Sequence, residues 1–110
     1  MAAQLTFETT YQKQPSGTKG INDWMELNCS PATEVFRVTS DADGDFFYCN
    51  KISRTKAVMV QNHGATFATG VSRDTPKITI RNGTTTMNAK ITIGHTATAE
   101  CFSVIVIGEL

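Results

Sequence analysis

The sequence predicts an all-β domain, an antiparallel β-sandwich of jelly-roll type with about eight strands. Three observations carry this. Apolar and polar residues alternate over short stretches, and no segment longer than a turn keeps the 3.6-residue period of a helix. Threonine occurs seventeen times, and this β-branched residue suits a pleated, half-exposed surface. Turn-forming residues recur roughly every 8–12 positions, the spacing of a sandwich.

The first predicted strand runs from Gln4 to Tyr11, with Leu5, Phe7, Thr9 and Tyr11 on one face. A Gly-, Pro-, Ser- and Lys-rich loop follows, from Gln12 to Ile21. Asp23 to Cys29 then sets Met25, Leu27 and Cys29 on one face and Trp24, Glu26 and Asn28 on the other. Pro31 ends that strand because proline cannot donate to a ladder. A short strand, Glu34 to Thr39, carries Phe36 and Val38. Asp41-Ala42-Asp43-Gly44-Asp45 is a tight turn leading into Phe46 to Ile52.

Thr55 to Asn62 sends Val58 and Val60 one way and Ala57 and Met59 the other. Asn62-His63-Gly64 turns the chain, and a weak strand is expected at Thr66 to Val71. Lys77 to Arg81 points Ile78 and Ile80 inward. Asn82-Gly83 predicts a type I′ hairpin, since both residues tolerate positive φ. Met87, Ala89, Ile91 and Ile93 define the returning face. The run Phe102-Ser103-Val104-Ile105-Val106-Ile107 is apolar on both faces, which predicts a central strand covered on both sides. The whole chain, 1–110, reads as one sandwich domain with no internal repeat.

Ten basic and ten acidic residues cancel, and only 18% of residues are charged, against about 25% in typical soluble domains. The chain therefore has no positive excess to drive nucleic-acid binding and no polybasic run for an anionic membrane. A weakly charged surface also lacks the self-repulsion that keeps a protein monomeric. The amino-terminal Met-Ala-Ala-Gln-Leu-Thr lacks the charged and apolar regions of a signal peptide, so synthesis in a reducing cytoplasm is expected. Cys29, Cys49 and Cys101 form an odd, widely spaced set without a CxxC pair and are read as free, buried thiols.

No residue pattern marks a catalytic, cofactor or metal site. The acidic turn at Asp41 has glycine at its fourth position and Ile52 at its twelfth, whereas a calcium-binding EF-hand loop needs glycine sixth and glutamate twelfth. His63 and His95 lie beside glycines, with no second His or Cys at a zinc-ligand spacing, and are read as turn or surface residues. Neither a nucleophile elbow nor a phosphate-binding glycine loop is present. The aromatic residues remain. Consecutive Phe46, Phe47 and Tyr48 must point to both faces, and Tyr11, Trp24 and Phe47 are the candidates for a subunit interface. The amino-terminal strand could also pair with the sheet edge of a neighbouring molecule.

The segments Phe46-Phe47-Tyr48-Cys49-Asn50-Lys51-Ile52, Ala57-Val58-Met59-Val60 and Ser103-Val104-Ile105-Val106-Ile107-Gly108-Glu109-Leu110 give the chain a resemblance to the small all-β structural proteins of tailed-phage virions. The resemblance implies a non-enzymatic virion component made in the host cytoplasm, namely a head decoration or cement protein. Such a protein self-associates, for instance as a trimer, and binds other virion proteins such as the major capsid protein. A tail or fibre component is the alternative within the same class. A carbohydrate-binding or adhesin module, with Trp24 and Tyr11 stacking on sugar, is the alternative outside it.

Overall fold

The apolar run near the carboxyl terminus becomes an inner strand of the larger of two sheets. A computed structural model of the chain describes residues 2–6, 19–29, 31–64, 76–95 and 99–110, and for 22 and 23 the backbone alone. These residues contain β1 (Gly20–Leu27), β2 (Ala32–Ser40), β3 (Asp45–Tyr48), β4 (Arg54–Gly64), β5 (Lys77–Arg81), β6 (Lys90–Gly94) and β7 (Glu100–Glu109). One sheet has the order β1-β2-β7-β4 and the other β3-β6-β5, with every pairing between these strands antiparallel. Among the described residues no helix is long and apolar enough to cross a membrane.

The chain wraps as a folded ribbon. The pair β2·β7 ends at Ser40 opposite Glu100, and the pair β3·β6 begins at Asp45 opposite Ile93. One long antiparallel ribbon thus turns a corner and continues in the second sheet, the feature that makes a sandwich jelly-roll-like. Its two inner faces meet through Phe36, Val38, Phe47, Ile91, Ile93, Phe102, Val104 and Val106, all fully buried. Phe36 and Phe47 lie tilted on each other with ring centres 4.6 Å apart. Leu5 joins this core, and its amide donates to the Phe46 carbonyl beside an isolated parallel bridge between Gln4 and Phe46. The rest of the expected first strand, Tyr11 included, and the expected strand at 66–71 lie outside the described residues.

Several expectations change. Asn82-Gly83 does not make a two-residue hairpin: Arg81 pairs with Lys90, leaving 82–89 as the connection. Positive φ among the described residues occurs at Gly20, Gly44 and Gly64, and not at Asn82 or Gly83. The segment instead ties the sheets together, since Gly83 N donates to Ser53 O and Asn82 Oδ1 accepts from Thr55 N. Met87, expected inward, is exposed on this connection. Cys29 is exposed, whereas Cys49 and Cys101 are buried as expected. Strand β7 is covered on one side only among the described residues: Phe102, Val104 and Val106 are sealed in the core, while Ser103, Ile105 and Ile107 are partly exposed.

A buried carboxylate holds the far end of the sandwich. Glu34, fully buried on β2, accepts the amides of Asn50 at 2.7 Å, Lys51 at 2.8 Å and Ile52 at 2.9 Å. The chain between β3 and β4 makes no ladder there, so without Glu34 those donors would lack protein partners. Burial, aided by the charge of Glu34, pushes the neighbouring Cys49 thiol up to about 12.

Candidate functional site

Two places in the molecule gather chemistry. The first is the corner of the folded ribbon, where the turn 41–44 and the segment before β7 bring polar side chains together. Ser40 Oγ lies 2.7 Å from His95 Nε2, and His95 Nδ1 lies 3.2 Å from Glu100 Oε1. Spacing of this kind defines a serine–histidine–acid relay. His95 is therefore no surface residue: its side chain is only 3% exposed, packed edge-on against Phe102. No sequence signal joins Ser40, His95 and Glu100, since their meeting depends on the β2·β7 register.

Other acceptors compete for the Ser40 proton. Ser40 Oγ carries one proton and faces Asp45 Oδ2 at 2.8 Å, a charged acceptor, and the Ala42 carbonyl at 3.2 Å. A hydroxyl that donates to Asp45 must accept from His95 Nε2, the reverse of what a general base requires. Ser40 is also fully buried. Asp45 is the hub. It accepts from the amides of Ala3 and Ala42, from Ser40 and from Lys19 Nζ at 3.0 Å, and Lys19 reaches Asp41 Oδ1 at 2.9 Å. Burial alone would push the Asp45 carboxyl up; the bonds from Ser40, Lys19 and Ala3 outweigh it and hold it below the ordinary carboxylate value. Lys19 is held above its ordinary value, chiefly by its bond to Asp41. The acidic turn thus takes its cation from the chain itself, and Asp43 Oδ1 caps the His95 amide. Gly44 closes the turn at φ +88°, a conformation that favours glycine. Among the described residues no group of three or more His, Cys, Asp or Glu side chains could hold a metal ion.

The second place is the outer face of the larger sheet. Strand register fixes which residues share it. Met25 pairs with Val35, Val35 with Ile105 and Ile105 with Met59, giving one row across four strands. Leu27, Thr33, Ile107 and Ala57 form the next row by the same pairings. Neither row contains a charge. Met25 is 63% exposed, Leu27 61% and Met59 50%. An antiparallel sheet with one solvated face ordinarily turns polar side chains outward. Here, apart from Thr33, polar groups lie beyond the two rows: Arg37, Ser103 and Gln61 above, and below them Glu109, which pairs in register with Arg54 and is bridged by Lys56 Nζ at 3.1 Å. In the upper group Ser103 Oγ lies 2.7 Å from His63 Nε2, and burial, with Arg37 nearby, pushes His63 below its ordinary value. A shallow depression on the β1 side is lined by Met25, Glu26, Leu27, Thr33 and Val35.

Two of the three expected interface residues, Phe47 and Trp24, turn away from this outer face. Phe47 is completely buried between the sheets and is closed to any partner, because in the triplet it is Phe46 and Tyr48 that turn outward. Trp24 lies opposite Phe36 and packs against the core, so its face is the inner one. Tyr11 lies outside the described residues. The sequence separated Met25 and Leu27 from Trp24 correctly, yet alternation alone does not say which face is inside. The signal that could have found the apolar outer face was the pairing of two methionine- and leucine-bearing edges with the doubly apolar Val104–Ile107 run.

No protein-family model, curated protein or solved structure matches this chain.

Proposed function

We propose that this chain is a non-enzymatic structural subunit of a virion, a head decoration or cement protein that works by packing its larger sheet against protein surface. The observation that carries the reading is the uncharged double row Met25–Val35–Ile105–Met59 and Leu27–Thr33–Ile107–Ala57, open to solvent on an otherwise polar molecule. Contiguous apolar surface of this kind marks an interaction site. The resemblance of the chain to small virion proteins supplies the setting, and the major capsid protein is the expected partner. Many equivalent contacts on a shell would give avidity beyond any single contact. Binding only the assembled shell would stabilise that shell by mass action.

Purified particles provide the test. The chain should be present in them in many copies, and particles assembled without it should break open at lower temperature. Presence at full thermal resistance without the chain would move it to the tail or fibre. Absence from particles would refute the reading altogether.

A glycan-binding module is the second reading, favoured by Phe46 and Tyr48 on the outer face of the smaller sheet. Their rings meet edge-on with centres 6.0 Å apart. Lys90 Nζ, however, stands 4.2 Å over the Phe46 ring and occupies a face on which a sugar would stack.

A further inference from the structure

We infer that the open edge of β5 takes an extended acidic segment of a partner polypeptide as an added strand, with acids at its first and fifth positions and apolar residues at its second and fourth. This surface lies on the smaller sheet, away from the apolar face of the larger one, and the inference stands apart from the virion reading. Among the described residues β5 pairs with β6 alone, so alternate amides and carbonyls of Lys77–Arg81 point away from the sheet. The other sheet edges are less regular. β1 and β4 are each interrupted by a register shift, and β3 is already joined by the Gln4 bridge. The ladder of β5 with β6 runs without interruption.

Register assigns the side chains. Ile78 and Ile80 pair with the core residues Ile93 and Ile91, so Lys77, Thr79 and Arg81 share the outer face. Lys77 and Arg81 stand about 14 Å apart along the strand, four residues at ~3.4 Å each. Both are exposed, and neither they nor Lys90 forms an ion pair among the described residues. Lys90, directly opposite Arg81, turns its ammonium over the Phe46 ring at 4.2 Å instead. Asp43, beside Gly94 at one end of the β5·β6 pair, is bonded to the His95 amide. The edge thus presents two unmatched cations. On its inner side Ile80 is 42% exposed although Ile91 beside it is sealed, so the core stops short at β5.

An added strand of the stated pattern meets each of these features. Its acids fall opposite Lys77 and Arg81, where opposite charges across strands stabilise the pairing. Its apolar residues fall opposite Ile78 and Ile80 and cover the exposed part of Ile80. The pattern is symmetrical about its centre, so it serves either strand direction. A second copy is selected against at this edge: antiparallel pairing of two β5 strands about Thr79 would set Lys77 against Arg81 twice, and parallel pairing would set each against itself. No segment of this chain has the pattern, since Asp41 and Asp45 are its only acids four apart and enclose Ala42 and Gly44. A single-stranded nucleic acid fits less well. It has no amides to continue the ladder, the Phe46 ring is covered by Lys90, and three cations would release only about two counterions. Basic side chains on an edge repel unspecified strands, and against an acidic strand the same charges select.

The probe is an end-blocked peptide, Thr-Glu-Val-Thr-Val-Glu-Thr, titrated into the full chain to about 1 mM at low salt and followed by amide NMR and hydrogen exchange. Saturable binding is expected, with the amides of Lys77–Arg81 shifted most and those turned outward gaining protection from exchange. The isomer Glu-Glu-Thr-Val-Val-Thr-Thr, equal in charge but without the alternation, should bind at least tenfold more weakly. So should the peptide with lysine in place of both glutamates. K77E/R81E should reverse the preference between the glutamate and lysine peptides while leaving the melting temperature in place, since both positions are exposed. K77Q/R81Q is the milder companion and should weaken the glutamate peptide several-fold. No binding at the top of the titration, equal binding of the isomer, or shifts without protection at β5 overturns the inference. Tighter binding of a short oligothymidylate than of the glutamate peptide, lost in K77Q/R81Q, overturns it in favour of nucleic acid. The virion reading is tested on particles and is untouched by any of these results.

Discussion

Glu34 is the side chain whose removal the structure makes most costly for its size. Its Oε1 takes one backbone amide and its Oε2 takes two, and the carboxylate is fully buried. In Glu34→Ala the Ile52 amide, buried at that bond, would lose its partner inside the fold, while those of Asn50 and Lys51 are part-buried and can reach water. An orphaned buried donor costs about 1–3 kcal/mol and a lost charge-assisted bond near water less, which together give about 3 kcal/mol. For a domain of this size that corresponds to a fall of about 12–15 °C in melting temperature. Glu34→Gln keeps the shape. Its amide oxygen can serve the two amides now on Oε2, leaving that of Asn50 facing an amide group that cannot accept, so about 1–2 kcal/mol is expected. Urea unfolding at neutral pH, checked for an unchanged slope with denaturant, measures both. A loss under about 1 kcal/mol for Glu34→Ala, or a larger loss for Glu34→Gln than for Glu34→Ala, would refute the claim that carboxylate-to-amide bonding anchors the 50–52 segment.

Three further outcomes follow from the core and the corner. Asp45 is held below its ordinary value in the fold, so its contribution is complete above the unfolded carboxyl value of about 3.9 and is lost as pH falls through the folded value. Asp45→Asn should therefore lose about 1.5–3 kcal/mol at pH 7 and show a shallower acid decline than the parent in urea melts from pH 7 to pH 3. His63 is depressed by burial first and Arg37 second. Its imidazole proton resonances should titrate with a midpoint below 6.5, and Arg37→Gln should raise that midpoint only part of the way. Because the unfolded imidazole binds the proton more readily, stability should rise with pH through that region. Phe47→Ala should cost about 3–5 kcal/mol in the same melts, since Phe47 is fully buried against Phe36. Survival with less than 1 kcal/mol lost would contradict its place in the core.

The legible part of the fold is what local alternation controls. Lys77–Arg81 was bounded correctly by Pro76, although Ile80, expected inward, is 42% exposed, and the Val104–Ile107 run correctly named an inner strand, though one covered on one side only among the described residues. What failed was decided at long range. Asn82-Gly83 carries the local chemistry of a tight hairpin, but Ser53 and Thr55 offer its backbone and side chain partners on the neighbouring segment, and the ladder stops at Arg81. Local turn preference is worth little against several bonds made elsewhere.

The same distinction explains the site. Trp24 is a candidate because interface centres are enriched in aromatic residues, a statistical preference that says nothing of which side of β1 meets the second sheet. That side is set when Trp24 pairs with Phe36, whose own face is fixed by Phe47 across the sandwich. Once Phe36 is inside, period two turns Met25, Leu27 and Val35 outward together, and Ile105 and Met59 follow through the ladder. The apolar face is thus a consequence of the core's own register. Shifting β1 by one residue would bury Met25 and Leu27 but would expose Trp24 and send the Glu26 carboxylate outward, away from the Asn50 side chain it now accepts from. The chain holds the register that leaves apolar surface open, and a sequence that did so with no partner to cover it would carry an aggregation hazard without return.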